Sequence, residues 1–443
     1  MARSETGGAL GERTETQRQE VKIKSRLREA ARTAARSADT SRAIGKSQTR
    51  GELPPSNAEI AELLSLEASK ASYVLQRALR RAARSAFLWN VEARDLVARK
   101  EPLTQLAHVG PFLQKQIRQW IRQKQHPLRP PPLRKEFFTL AESRMRLAQF
   151  PSWGARLRGD FQMHTRWSDG SGDVRTMAEA AFAHGYEYIA ITDHSKGLSI
   201  ANGIDETKLK QQSAEIDAIN RELRAAGKNL TVLRSIELNL NPIGQGDMDS
   251  RALHSLDLVL GSFHSALRRK EDQTARYLGA IRNPDIQILG HPRGRIYNYR
   301  LGLRAEWETV FGEATRLDKA VEIDAYPDRQ DLNVSLLRIA KRCGTRISMG
   351  TDAHHPWQLE FIDLALAAAL AAKIPAERIV NFMPLAELRA WVEDVRCRKT
   401  RRTHKKRRSD VRSKKSVTSQ MQQEKARSLF HARSRREERA KRK

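Results

Sequence analysis

Imidazole and carboxylate side chains recur along residues 158–396, each time close after a short run of β-forming residues. His, Asp and Glu without thiolates suit zinc, manganese or iron rather than a structural cysteine–zinc site. There are more such side chains than one tetrahedral ion can use, so we predict a cluster of two or three divalent ions. Such a cluster activates water and neutralises charge on attacking and leaving oxygens, which is the chemistry of phosphoester hydrolysis. These side chains are His164, Asp169, Asp193, His194, Glu237, His264, His291, Glu322, Asp324, Asp352 and His354, and the amide side chain of Gln162 lies in the same segment as His164.

Seven predicted strands, separated by amphipathic helical segments, must position these side chains. Strand–helix alternation favours βα units around a parallel sheet or barrel. In such a barrel the residues that follow the strands meet at the carboxyl-terminal rim, where active sites are built. We therefore expect an α/β fold with a distorted seven-stranded (β/α)7 barrel. The strands are predicted at Asp160–His164, Tyr186–Thr192, Leu230–Leu238, Leu256–Ser262, Ile286–Leu289, Ala320–Ile323 and Arg346–Met349.

The motifs around these residues resemble the polymerase-and-histidinol-phosphatase (PHP) domain, most closely the one that ends bacterial family X DNA polymerases. GDFQMHTRWSDG, YIAITDHSKGLSIANGID, SIELN, GSFHS, LGHPRGR, EIDAYPDRQDL and MGTDAHH occur in that order within residues 158–396. The resemblance implies a distorted seven-stranded barrel that binds up to three ions, Zn²⁺, Mn²⁺ or Fe²⁺. The implied ligands are His164, Asp169, His194, Glu237, His264, His291, Asp352 and His354. The family's first motif is His-x-His, and Gln162, a neutral and weaker ligand, stands in its first position.

Side chains beside these motifs could hold phosphate or transfer protons. Lys196, Arg295 and Arg329 follow ligand motifs closely, where a cation could meet substrate oxygens, although each could equally be a surface salt-bridge partner. Asp193 and His354 are candidates for proton transfer. We predict Asp193, His354 and Arg295 as catalytic, and Lys196, Arg295 and Arg329 as substrate-binding.

Residues 56–125 are predicted to form a small helical domain. The segment 103–117 resembles a helix-hairpin-helix, with Gly110 as its second hairpin glycine and His108 in place of the first. In that motif, backbone N–H groups at a helix N-terminus bind a DNA phosphate without reading bases. The run Arg77–Arg84 resembles the arginine-bearing helix of the N-terminal domain of family X polymerases. A basic docking module without a DNA role is the alternative.

Charge divides the chain into blocks. Lys+Arg 81 against Asp+Glu 52 gives a net charge of +29, and residues 398–443 contribute 20 basic and 4 acidic side chains, or +16. Such basic flanks favour a nucleic-acid partner, with plain solubility as the alternative. We predict disordered basic segments at 1–55 and 397–443, and a Pro-rich linker with a short helix at 126–157, between the helical domain and the PHP domain at 158–396.

Cysteine content and hydropathy bear on location. Cys343 and Cys397 cannot form a disulfide framework, which fits a reducing compartment. The apolar run 364–372 is too short to cross a bilayer, and the N-terminal residues lack the apolar segment of a signal peptide. We expect a cytoplasmic protein without a membrane partner.

These features lead to three functional hypotheses. The first is a metal-dependent phosphoesterase that acts on DNA as a 3′–5′ exonuclease or a 3′-end phosphatase. It would not polymerise, because the palm with paired aspartates is missing between the two resembling parts. The second is a small-molecule phosphatase of the histidinol-phosphatase kind. The third, suggested by Gln162, is a non-catalytic nucleic-acid-binding protein on a degenerate barrel.

Overall fold

The computed structural model describes residues 53–397. The disorder predicted for 1–55 and 397–443 falls almost wholly outside this range. The chain divides into two compact units, the first ending at Arg389 and the second beginning at Ala390. In the second unit, the described residues 390–397 are helical. All the features below belong to the first unit.

Residues 53–123 are helical. Ser56 begins the first helix with a capping box, since its hydroxyl and the Glu59 carboxylate each accept a hydrogen bond from the other residue's backbone N–H. The apolar faces share one core, in which Ile60, Leu64 and Ile117 are fully buried. The helices are α1 (Asn57–Lys70), α2 (Tyr73–Ala86), α3 (Ala93–Ala98) and α4 (Pro111–Arg122), with a 3-10 turn at Leu103–Gln105.

The predicted linker at 126–157 packs against the rest of its unit rather than spanning freely. It contains a 3-10 turn (Pro132–Arg134) and the helices α5 (Leu140–Ala148) and α6 (Pro151–Gly154). Arg144 on α5 forms ion pairs of 2.9 Å with both Glu360 and Asp363. The Trp153 indole N–H donates to the Leu366 carbonyl at 3.1 Å. The linker is therefore part of the folded unit.

Eight short parallel strands follow, one more than predicted. The predicted third strand is interrupted at residues 235–236, so its two halves lie in different sheets. The three-stranded sheet has the order β1-β2-β3 and the five-stranded sheet the order β4-β5-β6-β7-β8. The strands are β1 (Gly159–Asp160), β2 (Tyr188–Ile191), β3 (Thr231–Arg234), β4 (Glu237–Asn239), β5 (Leu260–Ser262), β6 (Ile288–Leu289), β7 (Ala320–Asp324) and β8 (Arg346–Gly350).

Hydrogen bonds link the two sheets at both margins. On one side the His164 N–H donates to the Ala353 carbonyl at 2.8 Å, within a parallel bridge between Met163 and Ala353. On the other side the Ser195 N–H donates to the Glu237 carbonyl at 3.1 Å. Because all strands are parallel, their carboxyl ends lie at the same edge.

The helices of this region cover strands that are buried on both faces, as expected for a parallel sheet. Helices lie between the strands, as the alternating pattern of the sequence predicted. No helix among residues 53–397 is long and apolar enough to span a membrane. The helices are α7 (Val174–Ala183), α8 (Glu206–Ala225), α9 (Ser250–His254), α10 (Thr274–Arg282), α11 (Trp307–Leu317), α12 (Val334–Cys343) and α13 (Ile362–Ala372), followed by helical residues 385–389.

Candidate metal centre

Glu237 lies at the centre of a group of imidazoles. It is the first residue of β4 and is fully buried. Its Oε1 lies 2.6 Å from His291 Nε2 and 3.3 Å from His264 Nε2, and its Oε2 lies 2.8 Å from His194 Nδ1. Burial alone would raise the pKa of Glu237, but these three imidazoles outweigh burial and hold the pKa well below its ordinary value. A single carboxylate thus faces histidines from three different loops.

His164 joins this group to a second carboxylate. Its Nε2 lies 2.9 Å from Asp352 Oδ1 and 3.6 Å from Glu237 Oε2. Its ring stacks on those of His194 and His354, with centroids 4.3 and 4.4 Å apart. Burial, together with the charges of these two neighbours, lowers the pKa of His164. A neutral imidazole is the form that binds a metal.

Asp169 lies on the more open side of the cluster. Its Oδ1 is 3.4 Å from His354 Nε2 and 3.6 Å from His194 Nε2. Burial opposes ionisation, yet the contact with His354 and the charges of the nearby histidines lower the pKa of Asp169 to about 2. Two groups of potential ligand atoms result, and His194 belongs to both. The groups are His164, Asp169, His194 and His354, and His194, Glu237 and His264.

The polar atoms of the cluster fit a metal site better than a hydrogen-bonded network. His164 Nδ1, His194 Nδ1 and Glu237 Oε2 are buried, and none has a hydrogen-bond partner within residues 53–397. His194 Nδ1 and Glu237 Oε2 approach to 2.8 Å without meeting hydrogen-bond geometry. Lone pairs left in this way are costly unless something else satisfies them. A divalent cation bound by imidazole and carboxylate would do so.

The outer support of the cluster includes a residue that sequence reasoning missed. The Asn239 Oδ1 lies 3.1 Å from His264 Nδ1, so Asn239 can orient the ring whose other nitrogen faces Glu237. Asn239 is two residues after Glu237 on β4, so the two side chains share a face of the strand. That spacing within SIELN was the signal that could have identified it.

Gln162 lies beside a different carboxylate. Its side chain is fully buried, and its amide nitrogen, assigned from the hydrogen-bond partners, donates to Glu322 Oε1 at 2.6 Å and Oε2 at 2.9 Å. Burial and the charge of Asp324 raise the pKa of Glu322 well above its ordinary value. The amide nitrogen of Gln162 is therefore hydrogen-bonded to Glu322, and a metal-ligand role for the amide oxygen stays a prediction.

The chain is similar to known proteins over part of its length. No family model matches the chain. The DNA polymerase/3′-5′ exonuclease PolX of Bacillus subtilis is 33% identical over 271 residues, which are 60% of this chain and 46% of that protein. The chain thus spans about half of that relative's length. A probable phosphatase of Photobacterium profundum is 31% identical over 191 residues, which are 41% of this chain and 71% of that protein. With the ordered ligand motifs, this match decides the family.

The chain belongs to the PHP family of metal-dependent phosphoesterases. A solved structure of histidinol phosphate phosphatase from Lactococcus lactis, with zinc, L-histidinol and phosphate, has a TM-score of 0.36 and 19% identity. The matched region covers 48% of this chain and 93% of the histidinol phosphate phosphatase chain. At that score the structural likeness carries no weight.

In this PHP chain, Arg329 lies within the cluster. Its guanidinium donates to Asp352 Oδ2 and lies 3.5 Å from Asp324 Oδ2. Burial would lower the pKa of Arg329, but the charges of these two carboxylates raise it. The cation predicted to bind substrate therefore also holds a predicted metal ligand in place.

The other two predicted cations have partners elsewhere. Arg295 is buried, its Nε and Nη2 donate to the carbonyls of Arg329 and Glu136, and its guanidinium lies 3.7 Å from the Phe137 ring centroid. The Arg295 guanidinium thus holds the linker, and a catalytic role for it stays a prediction. Lys196 forms an exposed ion pair of 2.8 Å with Glu206.

Asp193 is surrounded by hydrogen-bond donors. Its carboxylate accepts from the Thr165 N–H and hydroxyl, from the Ser168 N–H and hydroxyl, and from the Gln212 amide. It is fully buried. A carboxylate with every lone pair occupied is better suited to fixing the loop before Asp169 than to transferring a proton. His354, by contrast, contacts Asp169 and remains the candidate for proton transfer.

His108 and Gly110 form the turn before α4. His108 has a φ of 62°, the left-handed conformation that favours glycine, and its Nδ1 lies 2.6 Å from the Ser85 hydroxyl. Gly110 is the N-cap of α4 with extended backbone, and the space around its Cα is open. His108 thus adopts the backbone conformation expected of the first hairpin glycine.

Proposed function

We propose that this chain is a metal-dependent phosphoesterase acting on DNA, as a 3′–5′ exonuclease or a 3′-end phosphatase, without polymerase activity. The placement of Glu237 supports the hydrolase part most strongly. Its Oε1 faces His264 and His291 while its Oε2 faces His194, so both of its oxygens would help these imidazoles to hold divalent ions. Ions bound there, Zn²⁺, Mn²⁺ or Fe²⁺, would polarise a phosphoester and activate water.

The residues of the chain have separable tasks in this proposal. His164, His194, Glu237 and Asp352 provide buried donors for one part of the cluster, and the partly exposed Asp169 and His354 border the side open to substrate. Arg329 keeps Asp352 oriented and adds a positive charge beside the reacting phosphate. His354 Nδ1 lies 2.7 Å from the Asp352 carbonyl, which can only accept, so Nδ1 carries a proton and Nε2, which faces Asp169, would exchange one. Asn239 fixes the tautomer of His264.

The helical part of the chain supports a DNA substrate. Arg77, Arg80, Arg81 and Arg84 on α2 are all exposed, so the helix presents a basic face. The turn at His108–Gly110 leads into the N-terminus of α4, where free backbone N–H groups can bind a phosphate as in a helix-hairpin-helix. The relative with 33% identity is named as a polymerase and 3′-5′ exonuclease. These observations favour a polynucleotide over a free metabolite.

A small-molecule phosphatase is the second candidate, since the Photobacterium profundum relative is named a probable phosphatase. One experiment separates the two. The full chain, with Mn²⁺ or Zn²⁺, is given a 3′-recessed DNA duplex or histidinol phosphate, and Asp352→Ala is the blank. Nucleotide or phosphate release from DNA that is lost in the variant supports the proposal. Hydrolysis of histidinol phosphate but not of DNA supports the second candidate. Hydrolysis of neither substrate would favour a non-catalytic, nucleic-acid-binding role.

A further inference from the structure

A cavity lined by basic side chains, the basic cavity, lies beside the metal cluster. It is a cavity of about 200 Å³ between the segment 132–137 and the loop that follows the predicted ligand His291. Four basic side chains line it, Lys135 from the linker and Arg293, Arg295 and Arg300 from the loop, with Glu136 as the acidic member. A cavity built from two such segments is suited to a ligand that extends beyond the reaction centre.

The positive charge of this cavity is poorly balanced. None of its four basic side chains forms an ion pair with a residue between 53 and 397. Arg293 Nη2 donates to the Leu301 carbonyl at 2.7 Å, and Arg300 Nε donates to the Gly294 carbonyl. Neutral carbonyls orient these guanidinium groups but do not cancel their charge.

Two carboxylates, Glu136 and Asp331, lie close to these basic side chains. Glu136 accepts hydrogen bonds from the Asn333 amide and the Ser335 hydroxyl. Asp331 is buried and accepts from the backbone N–H of Arg293, and burial raises its pKa. The Oδ1 of Asp331 has no hydrogen-bond partner among residues 53–397, so Asp331 offsets part of the positive charge. Two carboxylates against four basic side chains still leave the cavity with a net positive charge.

One donor in the cavity wall also lacks a partner. The Nε of Arg293 is buried and has no hydrogen-bond partner within the described residues. Burial and the adjacent charge of Arg293 act on Arg295, whose pKa is lowered to about 10. Like charges gathered around an unsatisfied N–H are stabilised by an anion with several acceptor oxygens.

We infer that this cavity binds a phosphate of a single-stranded polynucleotide, one that is not itself being hydrolysed. The inference rests on the proposed function for the choice of polynucleotide over free phosphate. Arg293 lies two residues after His291, so the cavity and the metal cluster share a loop. Its other wall belongs to the linker, which joins the helical part to the strands. A strand bound in both places would be held at the scissile bond and at a second phosphate.

Binding without hydrolysis tests the cavity. The full chain in EDTA is titrated against fluorescein-labelled hexathymidylate, read by fluorescence anisotropy, at several salt concentrations. We expect Arg300→Gln and Lys135→Gln to weaken binding by about tenfold and about fivefold, and to lower the salt slope by about 0.7 for each lost phosphate contact. Arg224→Gln, the same charge change on exposed α8, is the matched control and should bind as the unaltered chain does.

Each outcome decides something. If Arg300→Gln and Lys135→Gln bind as Arg224→Gln does, the cavity is not a polynucleotide site. Inorganic phosphate is also tested as a competitor of hexathymidylate. If the two substitutions weaken that competition but leave the binding of hexathymidylate unchanged, the site takes free phosphate and the inference is overturned. Lys135 is exposed, so Lys135→Gln still tests whether the cavity binds the polynucleotide if Arg300→Gln unfolds at a lower temperature than the unaltered chain. If the cavity variants bind hexathymidylate more weakly but the unaltered chain hydrolyses no ester, the cavity is a polynucleotide site and the proposed function is wrong.

Discussion

The Arg329 guanidinium donates to Asp352 Oδ2, while the other oxygen of the same carboxylate lies 2.9 Å from His164 Nε2. A side chain predicted to meet substrate thus fixes the orientation of a predicted metal ligand. Arg329 also lies 3.5 Å from the buried Asp324. Without Arg329, two buried carboxylates would lose their nearest cation.

Arg329→Gln should therefore lower both activity and metal-free stability. We expect hydrolysis to fall by about 100-fold, and unfolding free energy in EDTA to fall by about 2 to 3 kcal/mol, because carboxylates would be left unpaired. Added Mn²⁺ should restore more stability to this variant than to the unaltered chain. Urea unfolding with and without Mn²⁺ measures this. Arg346→Gln, which breaks the ion pair with Asp318 at the start of β8, is the control and should show no such Mn²⁺ dependence.

Glu237→Gln should remove most of the bound metal. The amide keeps the shape but loses the charge that faces three imidazoles. We expect metal per chain, measured by mass spectrometry after dialysis against Mn²⁺, to fall by at least half and hydrolysis to be lost. Binding of DNA should change little, since the basic helix α2 is unaffected. Glu313→Gln, a carboxylate paired with Arg282 and Arg316, serves as the control, and an unchanged metal content in Glu237→Gln would contradict the assignment.

Gln162→His tests the first ligand position. The side chain is buried beside Glu322, and an imidazole there would add a stronger donor than the amide oxygen. We expect more metal bound per chain than in the unaltered protein, by the same dialysis measurement. Gln162→Asn, which keeps the amide, is the matched control. Equal stoichiometry in Gln162→His and Gln162→Asn would show that this position does not face a metal.

Glu92 should make the stability of the helical part depend on pH. Burial raises the pKa of Glu92 to about 7, against the charge of Arg94 and the hydrogen bond from the Asn57 N–H. The folded chain therefore keeps this proton at pH values where the unfolded chain has lost it. Stability is greatest below about pH 4.5 and falls as the pH rises towards 7, by roughly 3 kcal/mol in all. Urea unfolding at pH 5 and pH 8 measures the difference.

Glu92→Gln is the matched variant for that measurement. Its amide oxygen can still accept from the Asn57 N–H, but it cannot ionise. We expect Glu92→Gln to lose much less unfolding free energy between pH 5 and pH 8 than the unaltered chain loses. If the variant and the unaltered chain lose the same free energy over this range, another group is responsible.

The sequence predicted the chemistry of the site better than its internal contacts. His164, Asp169, His194, Glu237, His264, His291, Asp352 and His354 were predicted as ligands, and the structure gathers all eight into one network of contacts. Their residue types and their positions after β-forming runs are local properties of the chain. Because parallel strands end at one edge, those local properties were enough to predict convergence.

The sequence could not predict the directions in which the basic side chains point. Arg295, Lys196 and Arg329 look alike in sequence, since each follows a ligand motif. Arg295 turns to the linker, Lys196 to Glu206, and only Arg329 to the metal cluster. The direction depends on which segment packs beside each loop, and those segments are far apart in sequence.

The sequence by itself therefore predicted which side chains gather at the site, and it determined the α/β class, the helical character of residues 57–123 and the separation of charge along the chain. These follow from residue type and periodicity, which act over a few residues. The tertiary structure alone decided that Glu237 faces three imidazoles, that Arg329 holds Asp352, and that the linker forms a wall of the basic cavity. His164 and Asp352 are 188 residues apart, and hydrogen bonds between residues 161–164, which follow β1, and residues 349–353, at the end of β8, bring them to 2.9 Å.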